Sequence, residues 1–243
     1  MVSKKPNQGR SSVAKLLSSK QAAESIVRRK RENYRNQRQV INLLKEAVAK
    51  EKPKLSLEVG CGDGYFSEMV SEASSEVIAS DIKKNIANYV LKKANITFQL
   101  ADGTNLPFKA EKFDLVYSID VIEHLEKDKK FIDENLRVLK KNGLLIIVTP
   151  NKNRLSNMIK KVFGLNPRYP LFLGRDFVGE EVVHIREYRE EELIALIKKS
   201  KYKTDQCKIF GCYLGFSGNF GFETCPRIFK NYCGSWFLVL NRK

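Results

Sequence analysis

The amino-acid sequence predicts an α/β fold built on a doubly wound, mostly parallel sheet, with a helical extension at the N-terminus. Three observations predict it. After Pro53, short apolar runs alternate with helical stretches, which is the pattern of parallel strands joined by crossover helices. The first of these runs leads directly into a glycine-rich loop that opens a helix. With 243 residues, 42% of them hydrophobic, the chain fits one large domain.

Residues 54–243 form the predicted main domain. Its strand candidates are Leu55–Val59, Glu76–Ser80, Ile96–Leu100, Leu115–Ile119, Leu144–Thr149, Thr204–Phe210 and Ser235–Leu240. Its helix candidates are Tyr65–Ala73, Lys83–Lys93, Lys129–Leu139, Leu155–Phe163 and Glu190–Lys199. Residues 150–187 contain Pro167, Pro170 and several glycines, so they are predicted to be an insert that interrupts the alternation.

The positive charge of the chain is concentrated before the main domain. Residues 1–54 carry 15 Lys and Arg against 4 Asp and Glu, which is +11 of the chain's total of +16. Residues 1–18 are predicted to be a flexible basic tail, and residues 19–53 a helical extension that begins near Ser19. Such an arm suits an anionic surface or RNA, and the alternative is a solvated tail.

Composition also limits the location and the metal chemistry. No apolar run approaches the ~20 residues that a membrane-spanning helix needs, and no apolar stretch follows the basic N-terminus. We therefore expect a cytoplasmic protein, with peripheral contact to a membrane surface as an alternative. The five cysteines have irregular spacing, which predicts buried thiols and neither a disulfide framework nor a metal site.

The glycine-rich loop, Gly60-Cys61-Gly62-Asp63-Gly64, points to a ligand with a ribose. Glycines allow a sharp turn and a close approach of the ligand to the backbone. Asp81 follows about twenty residues later, at the next strand end, where a carboxylate can accept hydrogen bonds from both ribose hydroxyls. A nicotinamide enzyme shares this acid, but its fingerprint has a third glycine where this chain has Tyr65.

Five segments resemble, in order, the motifs of class I S-adenosylmethionine-dependent methyltransferases. Leu57–Gly64 is similar to their motif I, and Ser80-Asp81 to their second-strand acid. Ala101–Phe108 resembles the adenine-binding segment. The other two segments are Phe113–Leu125, similar to the fourth strand with its following turn, and Leu139–Leu144, similar to the turn into strand five. The nearest subgroup includes quinone-biosynthesis and glycan- or natural-product-modifying methyltransferases.

This resemblance implies a Rossmann-like seven-stranded sheet with an antiparallel last strand, and S-adenosyl-L-methionine as the cofactor. The implied cofactor residues at the methionine end are Glu58, Gly60, Cys61 and Gly62, together with the backbone at Tyr117 and Ser118, which would meet the ammonium group. The side chain of Tyr117 has a role in the core as its alternative.

The resemblance also assigns the adenosine end of the cofactor. Asp81 would hold the ribose hydroxyls, and Ile82 would pack on the adenine. Asp102 would accept a hydrogen bond from the adenine amino group, with Gly103 beside it.

Three residues are candidates for catalysis. His184 follows the insert and is the preferred general base or acceptor ligand, and its alternative role is to pin the insert. His124 belongs to a Glu-His pair after strand four, where a positioning role is favoured over base catalysis. Asn151 ends strand five, where it would orient an acceptor or cap the turn.

The acceptor is predicted from the insert and from residues 210–237. This second segment holds nine of the chain's 24 aromatic residues and five of its 14 glycines. It would line an apolar acceptor pocket, form a homodimer face, or pack as a hairpin with an overlong loop.

The favoured function is O-methylation of a small-molecule, lipid-linked or glycan-like acceptor. An RNA methyltransferase that uses the basic arm is the alternative, followed by a non-catalytic binding protein.

Overall fold

The structure is a computed structural model that describes residues 37–165, 168–175, 181–205, 207–217, 220–222, 225 and 227–243. The predicted tail 1–18 and the first part of the helical extension, up to residue 36, lie outside these residues. So do parts of the insert and of the aromatic segment.

Helices and strands are interspersed along the described chain. The helices are α1 (Arg38–Glu51), α2 (Tyr65–Val70), α3 (Asp128–Val138), α4 (Leu155–Val162) and α5 (Glu190–Lys198), with 3₁₀ turns at Ile122–His124 and Arg227–Tyr232. The strands are β1 (Leu55–Val59), β2 (Glu76–Asp81), β3 (Ile96–Leu100), β4 (Phe113–Ile119), β5 (Leu139–Pro150), β6 (Leu171–Arg175), β7 (Glu181–His184), β8 (Lys208–Cys212), β9 (Leu214–Ser217), β10 (Phe220–Phe222) and β11 (Ser235–Asn241).

One seven-stranded sheet forms the centre of the molecule, in the order β3-β2-β1-β4-β5-β11-β8. Strands β1 to β5 pair with one another in parallel. Strand β11 is antiparallel to both β5 and β8. The predicted doubly wound, seven-stranded sheet with an antiparallel last strand is therefore confirmed.

Helices cover both faces of the sheet. On one face α3 and α5 contribute the buried side chains of Phe131, Leu136 and Leu193. On the other face α1 and α2 contribute those of Leu44 and Phe66. Because both faces are covered, most side chains of the central strands are buried and apolar, as in parallel sheets generally.

The predicted helix at Lys83–Lys93 is wrong. This segment consists of turns, although Ile86 and Val90 are buried as the helical spacing requires. The backbone N–H of Ala87 donates to the carbonyl oxygen of Asp63, and the Ile86 and Val90 side chains contact the position of Gly64. Docking onto the glycine loop therefore replaces the intrahelical hydrogen bonds that apolar spacing alone predicts.

The insert and the aromatic segment contain strands that the sequence did not predict. Strands β6 and β7 form an antiparallel hairpin whose last residue is His184. Strands β9 and β10 form a second hairpin. In these segments proline and glycine interrupt the strand pattern. The strands are also short, because a two-stranded hairpin beside the main sheet needs no long apolar run.

Candidate active site

The candidate site lies at the carboxyl ends of the parallel strands. The chain leaves β1 and β4 in opposite directions along the sheet, so these neighbouring strands flank the topological switch point. Ligands of open α/β sheets bind in the crevice outside this point. The loop after β1 and the turn after β4 both begin there.

The glycine loop is held in a conformation that only glycine adopts without strain. Gly60, Gly62 and Gly64 have φ values of +81°, +51° and +85°. The backbone N–H groups of Gly60 and Cys61 both donate to the carbonyl oxygen of Ser80, at 2.8 and 2.9 Å. These bonds fix the loop against the end of β2.

Two of these glycines have different surroundings. A side chain at Gly60 would come within 2.3 Å of Cγ2 of Val121, so Gly60 is required by packing. A side chain at Gly62 would meet nothing within 4 Å, so the space above Gly62 is open to a ligand. The crevice therefore begins at Gly62.

Asp81 connects the glycine loop to the next strand. Its Oδ2 accepts a hydrogen bond from the backbone N–H of Gly62 at 2.9 Å, and its Oδ1 accepts one from the N–H of Lys83 at 3.2 Å. A carboxylate has about four acceptor positions. Two of those on Asp81 therefore remain for a pair of ribose hydroxyls.

Two apolar side chains beside Asp81 are exposed. Ile82 is 68% exposed and Leu100, at the end of β3, is 58% exposed. Asp102 is also exposed, and its carboxylate accepts hydrogen bonds from the backbone and hydroxyl of Thr104. A flat apolar ring with an amino group at its edge fits these side chains, as the adenine interpretation of Ile82 and Asp102 requires.

Gly103 is explained by packing. A side chain there would lie 2.9 Å from Cγ1 of Val59 and 3.0 Å from Cε2 of Phe131. The position next to Asp102 therefore has to be small whether or not it contacts a ligand.

Glu58 is a buried carboxyl group at the base of the crevice. It accepts a hydrogen bond from the hydroxyl of Ser67 and another from the hydroxyl of Tyr117 at 3.3 Å. Burial raises the pKa of Glu58 to about 8, although both hydrogen bonds oppose the shift. The Tyr117 side chain is thus a core residue bonded to Glu58, which was the alternative considered from sequence.

Cys61 and Ser118 also have buried side chains. The thiol of Cys61 packs in the core, and its backbone N–H is bonded to Ser80. Burial raises the pKa of that thiol, which keeps it neutral. The hydroxyl of Ser118 has no hydrogen-bond partner among the described residues.

His124 and His184, the two histidines of the chain, meet at the other end of the crevice. Their ring centroids are 4.9 Å apart in an edge-to-face arrangement. Nδ1 of His124 lies 2.7 Å from the carbonyl oxygen of Val183, which joins the turn after β4 to β7. Burial and the neighbouring imidazole lower the pKa of His124, although the carbonyl opposes the shift.

Glu123 lies beneath both histidines and is fully buried. Its Oε2 accepts a 2.9 Å hydrogen bond from the hydroxyl of Thr149, whereas its Oε1 has no hydrogen-bond partner in the described part of the chain. Oε1 lies 4.0 Å from Nε2 of His124 and 3.9 Å from Nε2 of His184. Burial, and then the charge of Asp120, raise the pKa of Glu123 well above its ordinary value.

Glu187 anchors His184 from the opposite side. Its Oε1 lies 3.0 Å from Nδ1 of His184 and accepts a hydrogen bond from Arg154. Its Oε2 accepts from Asn157 at 3.0 Å and from the Tyr169 hydroxyl at 2.8 Å. Burial alone would raise the pKa of Glu187, but these donors and the Arg154 charge hold it below its ordinary value.

Both polar atoms of the Asn151 side chain are hydrogen-bonded to backbone groups. Its amide nitrogen donates to the carbonyl oxygens of Asn231 and Cys233 at 3.0 and 2.9 Å, and its Oδ1 accepts from the N–H of Asn153. The side chain is fully buried. The geometry therefore favours the alternative of a turn cap over a role in orienting an acceptor.

Sequence reasoning did not assign roles to the carboxylates around the histidine pair. Glu123 was noted only as part of the Glu-His pair, and Asp120 and Glu187 were not noted. The positive φ of Asp120, +53°, leaves no mark in the sequence. The spacing of His184 and Glu187, three residues apart, is a signal that would have suggested a paired carboxylate.

The fold and this crevice define the class of protein, an α/β protein with a nucleoside-binding edge. Comparison with known proteins gives the family. Residues 57–147 match a family model described as "Methyltransferase domain". A protein named "Probable S-adenosylmethionine-dependent methyltransferase", from Mycobacterium tuberculosis, is 34% identical over 142 residues, covering 58% of this chain and 46% of its own length. Residues 57–147 are therefore a methyltransferase domain, and the similar proteins support a class I S-adenosylmethionine-dependent methyltransferase.

Two further similarities extend this finding. The ubiquinone biosynthesis O-methyltransferase of Pelagibacter ubique is 37% identical over 101 residues, covering 40% of this chain and 42% of its own. The N-methyltransferase NodS of Bradyrhizobium japonicum, solved with S-adenosyl-L-homocysteine, has the same fold, with a TM-score of 0.53, 14% identity and coverage of 85% and 87%. The chain spans about half the length of the curated relatives it matches.

S-adenosylmethionine is the cofactor of this family, and the crevice fits it. The open space at Gly62 suits the methionine part of that molecule. The two remaining acceptor positions of Asp81 suit its ribose, and the exposed Ile82 suits its adenine. No helix among the described residues is long and apolar enough to cross a bilayer.

Proposed function

We propose that the chain transfers a methyl group from S-adenosylmethionine to an oxygen of a small-molecule, lipid-linked or glycan-like acceptor. The observation that carries the proposal is the hydrogen bond between Gly62 and Asp81. This bond holds the Asp81 carboxylate, which can accept hydrogen bonds from ribose hydroxyls, beside the open end of the glycine loop. When bound, the cofactor supplies an electrophilic methyl group on a sulfonium. The protein then has mainly to align an acceptor and exclude water.

The histidine pair supports the choice of oxygen. His124 and His184 lie beyond β4 and at the end of β7, on the edge of the sheet that carries the glycine loop. A hydroxyl acceptor has to lose its proton during transfer, and a group that accepts or displaces that proton accelerates the reaction. The name of the ubiquinone biosynthesis relative supports oxygen as well, whereas that of NodS names nitrogen.

The test is a methyl-transfer assay with methyl-labelled S-adenosylmethionine and a fractionated cell extract. The variant Asp81→Asn should lose transfer. Asp205→Asn is the matched control. Asp205 pairs with Lys243 beside the C-terminal end of β11, at the edge of the sheet opposite to the glycine loop. Label in lipid or small-molecule fractions, lost with Asp81→Asn and kept with Asp205→Asn, supports the proposal. Absence of label together with absence of cofactor binding by calorimetry contradicts it.

An RNA acceptor is the second candidate, and one contact favours it. Nε2 of Gln37, the first described residue of the extension, donates a 3.0 Å hydrogen bond to Oδ2 of Asp120 at the candidate site. Label in the RNA fraction would support this candidate. RNA binding should then weaken steeply with salt, because each neutralised phosphate releases counterions.

A further inference from the structure

We propose that Glu123, His124 and His184 bind a divalent transition-metal cation, and that this cation meets the acceptor oxygen. The contact with the acceptor oxygen rests on the proposed function, whereas the binding of the cation does not. One ligand atom from each residue lies within 4.8 Å of the other two. Two imidazoles and one carboxylate, with positions left open, are the ligand set of many mononuclear zinc and iron sites.

The hydrogen bonds of both histidines leave Nε2, the nitrogen that faces Glu123, free to bind a cation. Nδ1 of His124 faces a carbonyl oxygen, that of Val183, which can only accept, so this nitrogen carries the proton. Nδ1 of His184 faces the carboxylate of Glu187, which sets the same tautomer. Both Nε2 atoms therefore hold a lone pair. A carbonyl or carboxylate behind each imidazole is the usual support of metal-bound histidine.

The third ligand is oriented but unsatisfied. Thr149 holds Oε2 of Glu123, which leaves Oε1 buried, without a hydrogen-bond partner in the described chain, and between the two Nε2 atoms. A buried polar atom without a partner costs free energy. A cation bonded at roughly 2.1 Å to all three atoms would satisfy it after they draw together slightly.

The local charge also favours a cation. Three carboxylates, those of Asp120, Glu123 and Glu187, interact electrostatically within this cluster. The guanidinium group that faces them is that of Arg154, which pairs with Glu187. A divalent cation would displace the proton of Glu123 on binding and would offset the carboxylate charge that one arginine does not.

The cluster is partly open, so a bound cation has access to an acceptor. The side chain of His124 is 32% exposed, whereas those of His184 and Glu123 are buried. A cation lowers the pKa of a hydroxyl that contacts it. The acceptor oxygen then releases its proton to water and bonds to the methyl carbon, while the carbon–sulfur bond breaks and its electron pair stays on sulfur.

The experiment titrates the full, chelator-treated protein with Co²⁺ and with Zn²⁺ alone. We expect one ion per chain, a Kd for Zn²⁺ below about 10 µM, and visible Co²⁺ bands without thiolate charge transfer. Because His124 and His184 are the only histidines, nitrogen NMR of the wild-type protein reports on both ligands without any mutation. Both Nε2 signals should shift with Zn²⁺, and Nδ1 should stay protonated.

Variants separate the ligands from their surroundings. Glu123→Gln keeps the shape of the side chain and should weaken Zn²⁺ binding by at least about 100-fold. Glu72→Gln, at an exposed position, and Cys225→Ser are matched controls that should leave Zn²⁺ binding unchanged.

Calorimetry with S-adenosylhomocysteine distinguishes the two proposals. Zn²⁺ binding without S-adenosylhomocysteine binding supports the cation site and contradicts the proposed function. S-adenosylhomocysteine binding with unshifted Nε2 signals, or a Co²⁺ spectrum dominated by thiolate, overturns the cation site and leaves the proposed function standing.

Discussion

The backbone N–H of Gly62 donates a 2.9 Å hydrogen bond to the carboxylate of Asp81, which joins the loop after β1 to the end of β2. This bond uses one acceptor position of Asp81 and directs the remaining positions toward the crevice. The two residues, which the sequence places nineteen apart, therefore form one hydrogen-bonded unit at the carboxyl ends of β1 and β2.

Replacing the two glycines of the loop should separate stability from cofactor binding. Gly60→Ala should cost about 3 kcal/mol of unfolding free energy, because the new methyl group would clash with Val121 at a positive φ. Gly62→Ala should cost only about 1 kcal/mol, yet weaken S-adenosylhomocysteine binding at least about 10-fold. Urea unfolding and calorimetry measure the two effects. Unchanged affinity in Gly62→Ala would place the cofactor elsewhere.

Asp81→Asn tests the ribose interaction directly. The amide loses the charge and half of the acceptor capacity, so S-adenosylhomocysteine affinity should fall roughly 10- to 100-fold. The fold should persist, because the Asn oxygen still accepts from the N–H of Gly62. Calorimetry gives the affinity and circular dichroism checks the fold, with Asp205→Asn as the control. Equal affinities in both variants would contradict the assignment.

Glu58 predicts a pH dependence of stability. In the unfolded chain this carboxyl ionises near 4.5, whereas burial raises its pKa in the folded protein to about 8. Between these values the unfolded state binds fewer protons, so the Glu58 contribution to stability is complete below pH 4.5 and is lost as pH rises toward 8. Between pH 5 and pH 8 the free energy of unfolding, measured with denaturant, should fall less in Glu58→Gln than in the wild type.

Other buried acids also titrate, so the difference between wild type and Glu58→Gln carries this prediction. Glu72→Gln, at the surface, should follow the wild-type curve. Parallel curves for wild type and Glu58→Gln would mean that Glu58 ionises normally in the fold.

Asn151→Ala tests whether this residue is structural. Removing the amide leaves the carbonyl oxygen of Asn231 and the buried carbonyl oxygen of Cys233 without their donor, which should cost about 2 kcal/mol of unfolding free energy. S-adenosylhomocysteine binding should be unchanged. A normal unfolding curve together with lost methyl transfer would restore the acceptor-orienting role.

The fold was predictable where local pattern and tertiary contacts agree. The run from Leu55 to Val59 has apolar residues at alternate positions, is of strand length and is followed by glycine, and the strand has those bounds in the structure. The segment at Lys83–Lys93 shows the limit, because a docking contact with the glycine loop competes with helical hydrogen bonds and only the folded structure reveals it.

The candidate site, like the fold, was predictable only in part from the sequence. Gly62 and Asp81 follow directly from spacing, since both lie at strand ends on one edge of the sheet. The meeting of His124 with Val183 joins residues 59 apart through a hairpin that the sequence did not predict. The structure therefore adds His184 to the Glu-His pair that the sequence shows.

The position of β11 has a consequence for the order in which the protein assembles during synthesis. Strand β11 lies between β5 and β8 and pairs with both, yet it leaves the ribosome after them. Until then β8 has no neighbour in the sheet, and β5 presents an open edge of hydrogen-bonding groups. The nascent chain can thus build the cofactor half of the sheet, β1 to β5, early, while the other half waits for its final strand.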